Sequence, residues 1–197
     1  MDVRTPHVLG LGGTTRPGSS TERALRYVLA ACEEEGSTTV AFTGAELAQL
    51  PHYAPESPLR TPLAQRLVEE FRRADGMVVA SPGYHGGVSG LVKNALDYAE
   101  DLKDDSRVYF SGVPVGCIAT GAGWQGVITT LGALRSIVHA LRGWPTPMGA
   151  AINAALNPFG PDGTLTDERV RFQLNMVAQE VMTFVRWRLA AAEPLEI

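Results

Sequence analysis

The chain has 197 residues, and its 17 basic against 21 acidic side chains give a net charge of −4, which does not match the basic footprint of a nucleic-acid binder. That length buries enough surface for one substantial core without staples, and two cysteines, Cys32 and Cys117, are too few for a disulfide scaffold, so a reducing, cytoplasmic setting is expected. No apolar run approaches about 18 residues and the first ten residues lack a secretory pattern, so neither membrane spanning nor secretion is expected.

In chain order, the apolar run His7–Gly12 predicts a buried strand. After a loop rich in Gly, Ser and Thr, Ser20–Glu35 carries Leu25, Val28, Leu29 and Cys32 on one face and predicts an amphipathic helix. Thr39–Phe42 predicts another strand. Gly44–Thr61, with Pro51, Pro55 and Pro58, predicts a proline-rich loop that either overhangs a site or covers core. Pro62–Ala74 predicts a helix, with Pro suited to its first turn. Met77–Ala80 then predicts a strand, Ser89–Ala99 a helix and Val113–Ala119 a strand. Val127, Leu131, Leu134, Val138 and Leu141 recur at helical spacing within Trp124–Arg142. Met148–Ile152 predicts the last strand, and Asp167–Leu189 a helix after the turn Pro161-Asp162-Gly163.

This alternation of buried strands and helices predicts an α/β domain over residues 1–197: a three-layer, doubly wound, five-stranded parallel sheet with helices on both faces. No linker or repeat divides the chain. In such sheets ligands bind beyond the carboxyl ends of the strands, which directs attention to the segments after strands one, three and four.

The first of these segments is Gly12-Gly13-Thr14-Thr15-Arg16-Pro17-Gly18-Ser19-Ser20-Thr21. Amides at the helix start and the hydroxyls of Thr14, Thr15, Ser19, Ser20 and Thr21 can donate to a phosphate, with Arg16 supplying charge. A P-loop is excluded because no lysine precedes Lys93. The dinucleotide pattern G-x-G-x-x-G meets Gly10 and Gly12 but fails at Thr15, and Thr43-Gly44 stands where an acidic residue should end the strand over Thr39–Phe42. A mononucleotide phosphate fits better; the competing reading is that these residues only cap a helix and that Arg16 is a solvated charge.

The next segment, Ser81-Pro82-Gly83-Tyr84-His85-Gly86-Gly87-Val88-Ser89-Gly90, offers amides for close approach to a flat ligand, with the rings of Tyr84 and His85. The last, Thr120-Gly121-Ala122-Gly123-Trp124, offers free amides to the carbonyl edge of the same ring. Converging beside a phosphate cradle, the two describe a groove for flavin mononucleotide.

In these stretches the sequence resembles the NADPH-dependent FMN reductases, a family with a flavodoxin-like fold. The loop from Gly12 to Thr21 is similar to that family's Gly-Ser-x-Arg-x-x-Ser pattern, with Thr14 replacing its first serine. The loop after Ser81 is similar to its Pro-x-Tyr-Asn-Gly…Pro-Gly…Lys-Asn-Ala-Leu-Asp stretch, which ends here in Lys93-Asn94-Ala95-Leu96-Asp97. His85 stands where the family usually has Asn, and Ser89-Gly90 where it has Pro-Gly. The resemblance assigns Thr14, Arg16, Ser19, Ser20 and Thr21 to the FMN phosphate. It assigns Pro82, Tyr84, His85, Gly86 and Gly87, with Gly83 in the same loop, to the isoalloxazine ring, and Gly121, Ala122 and Gly123, after Thr120, to its pyrimidine end.

It also implies an enzyme in which bound FMN takes a hydride from NADPH or NADH and passes electrons to a small-molecule acceptor such as free flavin, a quinone or an azo compound. A homodimer or homotetramer is implied as well. No side-chain acid or base is required, so no catalytic residue is named. The alternatives are a flavodoxin-type electron carrier, disfavoured by the weak net charge, and a specialised flavin-dependent biosynthetic enzyme in which His85 and the proline-rich loop reshape the pocket.

Outside the three loops the readings are structural. Lys93, Asn94 and Asp97 are expected to fix their helix to a neighbouring loop, and Cys32 and Cys117 to be core thiols. Trp124 packs on the flavin, on a partner subunit or in the core. The scattered histidines His7, His52 and His139 offer no metal-ligand spacing, and Ser81 and Ser111 lack a hydrolase arrangement.

Overall fold

Five parallel strands form the centre of the structure, a computed structural model that describes residues 4–192. They are β1 (His7–Gly12), β2 (Thr38–Thr43), β3 (Gly76–Tyr84), β5 (Pro114–Gly121) and β6 (Trp144–Asn153). The order across the sheet is β2-β1-β3-β5-β6, the flavodoxin-like winding. A sixth strand, β4 (Gly87–Val88), pairs antiparallel with the end of β3, so the sheet has one more strand than the five expected. Two residues are too few to produce a periodic apolar signal.

The strands at the middle of the sheet are apolar on both faces because both faces are covered. On one side lie α1 (Ser20–Glu34) and α6 (Glu168–Ala192), whose Leu25, Val28, Cys32, Leu174, Val177 and Val181 pack on Val8, Val78 and Ile118. On the other lie α3 (Pro62–Arg73), α4 (Gly90–Asp97) and α5 (Trp124–Ala140), which meet Leu9, Leu11, Val79 and Cys117 through Leu67, Phe71, Leu96 and Leu134. Truncating any of these buried leucines to Ala would cost about 2–5 kcal/mol. Gly12 allows β1 and β3 to approach at their carboxyl ends: its φ is 148°, and a Cβ there would lie 2.0 Å from the Ala80 carbonyl oxygen.

Several boundaries differ from expectation for physical reasons. β6 begins at Trp144, before Pro145 and Pro147. As the outermost strand it tolerates both prolines, because alternate residues turn their missing N–H groups to the same open edge. The helix expected over Ser89–Ala99 ends at Asp97 and continues as a 3₁₀ turn, Tyr98–Leu102. The proline-rich segment opens with a one-turn helix, α2 (Gly44–Leu47), entered through a Thr43/Glu46 capping box.

The rest of that segment is bolted to α4 and to the 3₁₀ turn that follows it. Asn94 Nδ2 donates to the Pro51 carbonyl at 2.9 Å, and the Tyr98 hydroxyl donates to the same oxygen at 2.9 Å. Arg60 makes two charge-assisted bonds to Asp101, at 2.7 and 2.8 Å, and its guanidinium lies over the ring of Tyr53, 4.8 Å from the centroid. The hydrogen bonds from Arg60 hold the Asp101 carboxyl below its ordinary pKa of 3.8. Burial, and then the neighbouring Asp101 charge, push Tyr53 up.

Cys32 and Cys117 are both buried, and desolvation pushes both thiols up to about 12. No described helix is long and apolar enough to cross a membrane.

Candidate functional site

Three loops meet beyond the carboxyl ends of β1, β3 and β5, where the chain from β1 turns outward to β2 and the chain from β3 turns the other way. This is the topological switch point of the sheet. They enclose a cavity of about 290 Å³.

The loop after β1 enters α1 through an N-cap at Ser19, with the Glu22 side chain reaching back to the residue before it. Ser19 Oγ accepts from the Glu22 N–H at 3.3 Å, and the Glu22 carboxylate accepts from the Gly18 N–H at 3.2 Å. Thr14 Oγ1 accepts from the Arg16 N–H at 3.2 Å, closing a small turn. Ser19 thus caps the helix and also lines the cavity. Ser20 and Thr21 are not spent in that way, and both line the cavity with Thr14, Arg16 and Ser19. Among the described residues, no carboxylate pairs with the Arg16 guanidinium, which sits exposed at the cavity edge.

The loop after β3 is held by Ser81, buried at the end of the apolar part of that strand. Its hydroxyl accepts from the Ser89 N–H at 3.0 Å and donates to the Pro82 carbonyl at 2.9 Å, so the ends of the loop are clamped together. Ser89 in turn caps α4 by accepting from the Val92 N–H. Between the ends, His85 and Gly86 connect β3 to β4 with φ of 51° and 79°, both positive as a two-residue type I′ hairpin requires. Asn is the usual occupant of such a position and His tolerates it better than most residues, which accounts for His85 standing where the resemblance expects Asn. Pro82, Gly83 and the half-exposed Tyr84 line the cavity, whereas His85, Gly86 and Gly87 form the hairpin outside it. Gly83 admits no side chain, since a Cβ would come within 2.7 Å of Thr130 Oγ1.

Thr120 and Gly121 at the end of β5, and Ala122 in the loop after it, line the cavity. Gly123 instead becomes the N-cap of α5, and Trp124, at 52% exposure, is not a core residue. Thr120 Oγ1 lies 2.5 Å from Thr21 Oγ1, and both residues are buried. That contact couples the end of β5 to the start of α1. One lining residue is unmarked in the sequence: Ala154, in the 3₁₀ turn Ala154–Leu156 that follows β6. Its position after a strand is the only available signal, and an Ala-Ala pair carries no chemistry to distinguish it.

Lys93 and Asp97 form an ion pair one turn apart on α4, and Asn94 is engaged with the proline-rich segment, so the Lys-Asn-Ala-Leu-Asp string holds the scaffold and lines none of this cavity. Among the described residues no group of three His, Cys, Asp or Glu side chains is arranged to hold a metal ion.

With hydroxyls, a guanidinium that has no carboxylate partner among the described residues and the start of a helix all lining one cavity, the arrangement suits a ligand with an anionic group. The chain is 29% identical over 181 residues to an NAD(P)H-dependent FMN reductase of Pseudomonas aeruginosa, covering 91% of this chain and 95% of that protein. It is 32% identical over 126 residues to an FMN-dependent NADPH-azoreductase of Staphylococcus saprophyticus, a match spanning 62% of each. Among solved structures, the flavoenzyme NAD(P)H:(acceptor) oxidoreductase FerB from Paracoccus denitrificans superposes with a TM-score of 0.72 at 21% identity, over 95% of this chain and 98% of that one. The sequence pattern of the NADPH-dependent FMN reductases matches residues 6–156, and the chain belongs to that family.

Proposed function

We propose that the cavity between the three loops is an FMN site, and that the chain is an oxidoreductase that moves electrons from NAD(P)H through that FMN to a small-molecule acceptor. The observation that carries the site assignment is Arg16, without a carboxylate partner among the described residues, lining the cavity together with Ser20 and Thr21 from the start of α1. A solvent-exposed arginine is ordinary; one lining a cavity beside hydroxyls and a positive helix end is suited to a phosphate.

In this reading Arg16, Ser19, Ser20 and Thr21, with Thr14, hold the phosphate. Pro82, Gly83, Tyr84, Gly121 and Ala122 bound the ring. His85, Gly86 and Gly87 shape the hairpin that presents Tyr84, and Gly123 starts the helix behind it. When bound, FMN supplies the two-electron chemistry, accepting a hydride and releasing electrons in a later step. The chain contributes orientation, exclusion of water along one side of the ring, and backbone amides directed at developing negative charge. The half-exposed ring of Tyr84 stands at the mouth, where an aromatic acceptor can stack.

The likeness to an FMN-dependent NADPH-azoreductase supports an azo compound as acceptor class. Exposed Trp124 and Ile128, one turn apart on α5, lie on the side of the molecule that carries Gly123 and support another copy of the chain covering this face. A cytoplasmic location accords with two unpaired, buried thiols.

The test is anaerobic addition of NADPH to FMN-loaded protein. Loss of the visible flavin band without any added partner protein is the expected result. A flavin that stays oxidised under NADPH, yet is reduced by dithionite, would contradict the reductase reading and leave an electron carrier.

A further inference from the structure

The hydroxyls of Thr21 and Thr120 are 2.5 Å apart, 2% and 3% exposed respectively as residues, and each has the other as its sole side-chain partner among the described residues. Both line the cavity. Two hydroxyls in one hydrogen bond consume one proton, so the oxygen that accepts keeps an O–H to donate elsewhere. Thr21 is in the first turn of α1, next to Ser20 and five residues after Arg16, which line the same cavity; Thr120 comes from the end of β5.

We infer that Thr120 is a positioning residue for the anionic end of the ligand: its hydroxyl donates to Thr21 Oγ1, so that the Thr21 proton is directed into the cavity toward a phosphate. The inference rests on the FMN reading of the cavity. It moves Thr120 from the ring end, where loop order alone places it, to the phosphate end. A hydroxyl that accepts one hydrogen bond is polarised as a donor in the next, and burial keeps water from substituting for Thr120. The pair thereby makes binding depend on the phosphate of the ligand and not on its ring alone.

The experiment compares FMN with riboflavin, which has the same ring without the phosphate, by quenching of flavin fluorescence on the full chain. The variants are Thr120→Val, Thr120→Ser, Thr21→Val and the double Thr21→Val/Thr120→Val. Valine matches threonine in shape, and removing both partners of a buried bond together is close to neutral for folding, so the double variant keeps the comparison available if a single variant folds poorly. We expect Thr120→Val to weaken FMN about tenfold and riboflavin not at all, Thr120→Ser to restore FMN binding, and the double variant to be no weaker than Thr21→Val alone. Equal weakening of FMN and riboflavin in Thr120→Val, or additive losses in the double variant, would overturn the role given to Thr120. Absence of FMN binding by the unsubstituted chain would overturn the FMN reading beneath it, and the two failures are told apart by that control.

Discussion

Asn94 Oδ1 accepts the backbone N–H of Tyr53 at 2.8 Å, while the Nδ2 of the same side chain donates to the carbonyl of Pro51, two residues earlier. One amide therefore satisfies a donor and an acceptor of an irregular segment that has no ladder of its own. It also fixes α4, which starts directly after the loop carrying Tyr84. The most distinctive string in the sequence is in this way a device of the scaffold.

Replacing Asn94 by Ala removes both bonds and leaves backbone groups of the proline-rich segment to find water. The expected loss is about 1–3 kcal/mol in denaturant unfolding, with faster proteolytic nicking between residues 51 and 60. Unchanged stability and unchanged nicking would show that the segment is held by Arg60 and Tyr98 without it.

The Arg60–Asp101 pair sets an acid limit on that same segment. Arg60 lowers the Asp101 pKa in the folded chain, so the carboxylate's contribution is complete above the unfolded value of about 3.9 and is lost as pH falls through the lower folded value. The stability difference between the natural chain and Asp101→Asn is therefore expected to be constant from neutrality down to about the unfolded value and to shrink as pH falls from there through the lower folded value. Urea titrations at a series of acidic pH values measure it; a difference that grows on acidification would contradict the assignment.

Cys32 and Cys117 have raised thiol pKa values and no exposed sulfur surface to offer. Neither is expected to react with a thiol reagent at mildly alkaline pH while the protein is native, and both are expected to react after unfolding. Rapid native labelling of either would show that its surroundings open.

The hairpin turn at His85-Gly86 predicts a graded response. His85→Asn suits the positive φ at least as well, so it is expected to keep flavin reduction near normal and stability equal or slightly higher. His85→Val places a β-branched residue in a conformation it resists and is expected to cost about 1–3 kcal/mol. Collapse of flavin reduction in His85→Asn, with folding intact, would instead assign the imidazole a part in the chemistry.

The parallel sheet and its helices are legible in the sequence because buried strands such as His7–Gly12 and the one-sided helix over Ser20–Glu34 have strong periods. The same holds for Thr14, Arg16, Ser19, Ser20 and Thr21 as neighbours around one cavity, where residue type and strand-end position agree, although Thr15 of the same loop lies outside its lining. What escapes has a local physical cause. Pro145 and Pro147 hide the start of β6, since only its edge position permits them. Gly87–Val88 is too short to signal a strand. Loop order alone distinguishes neither Gly123, which caps a helix, nor Thr120, whose partner Thr21 lies 99 residues away in the chain.

Recognition of the cofactor turns on one end of one cavity, and FMN binding to Arg16→Ala interrogates it most directly. When FMN and riboflavin are titrated into the natural chain and into this variant, tight FMN binding is expected to fall about tenfold or more without the guanidinium, with riboflavin affinity unaltered. A natural chain that does not bind FMN, or a variant that binds it equally well, would contradict the phosphate site at Arg16.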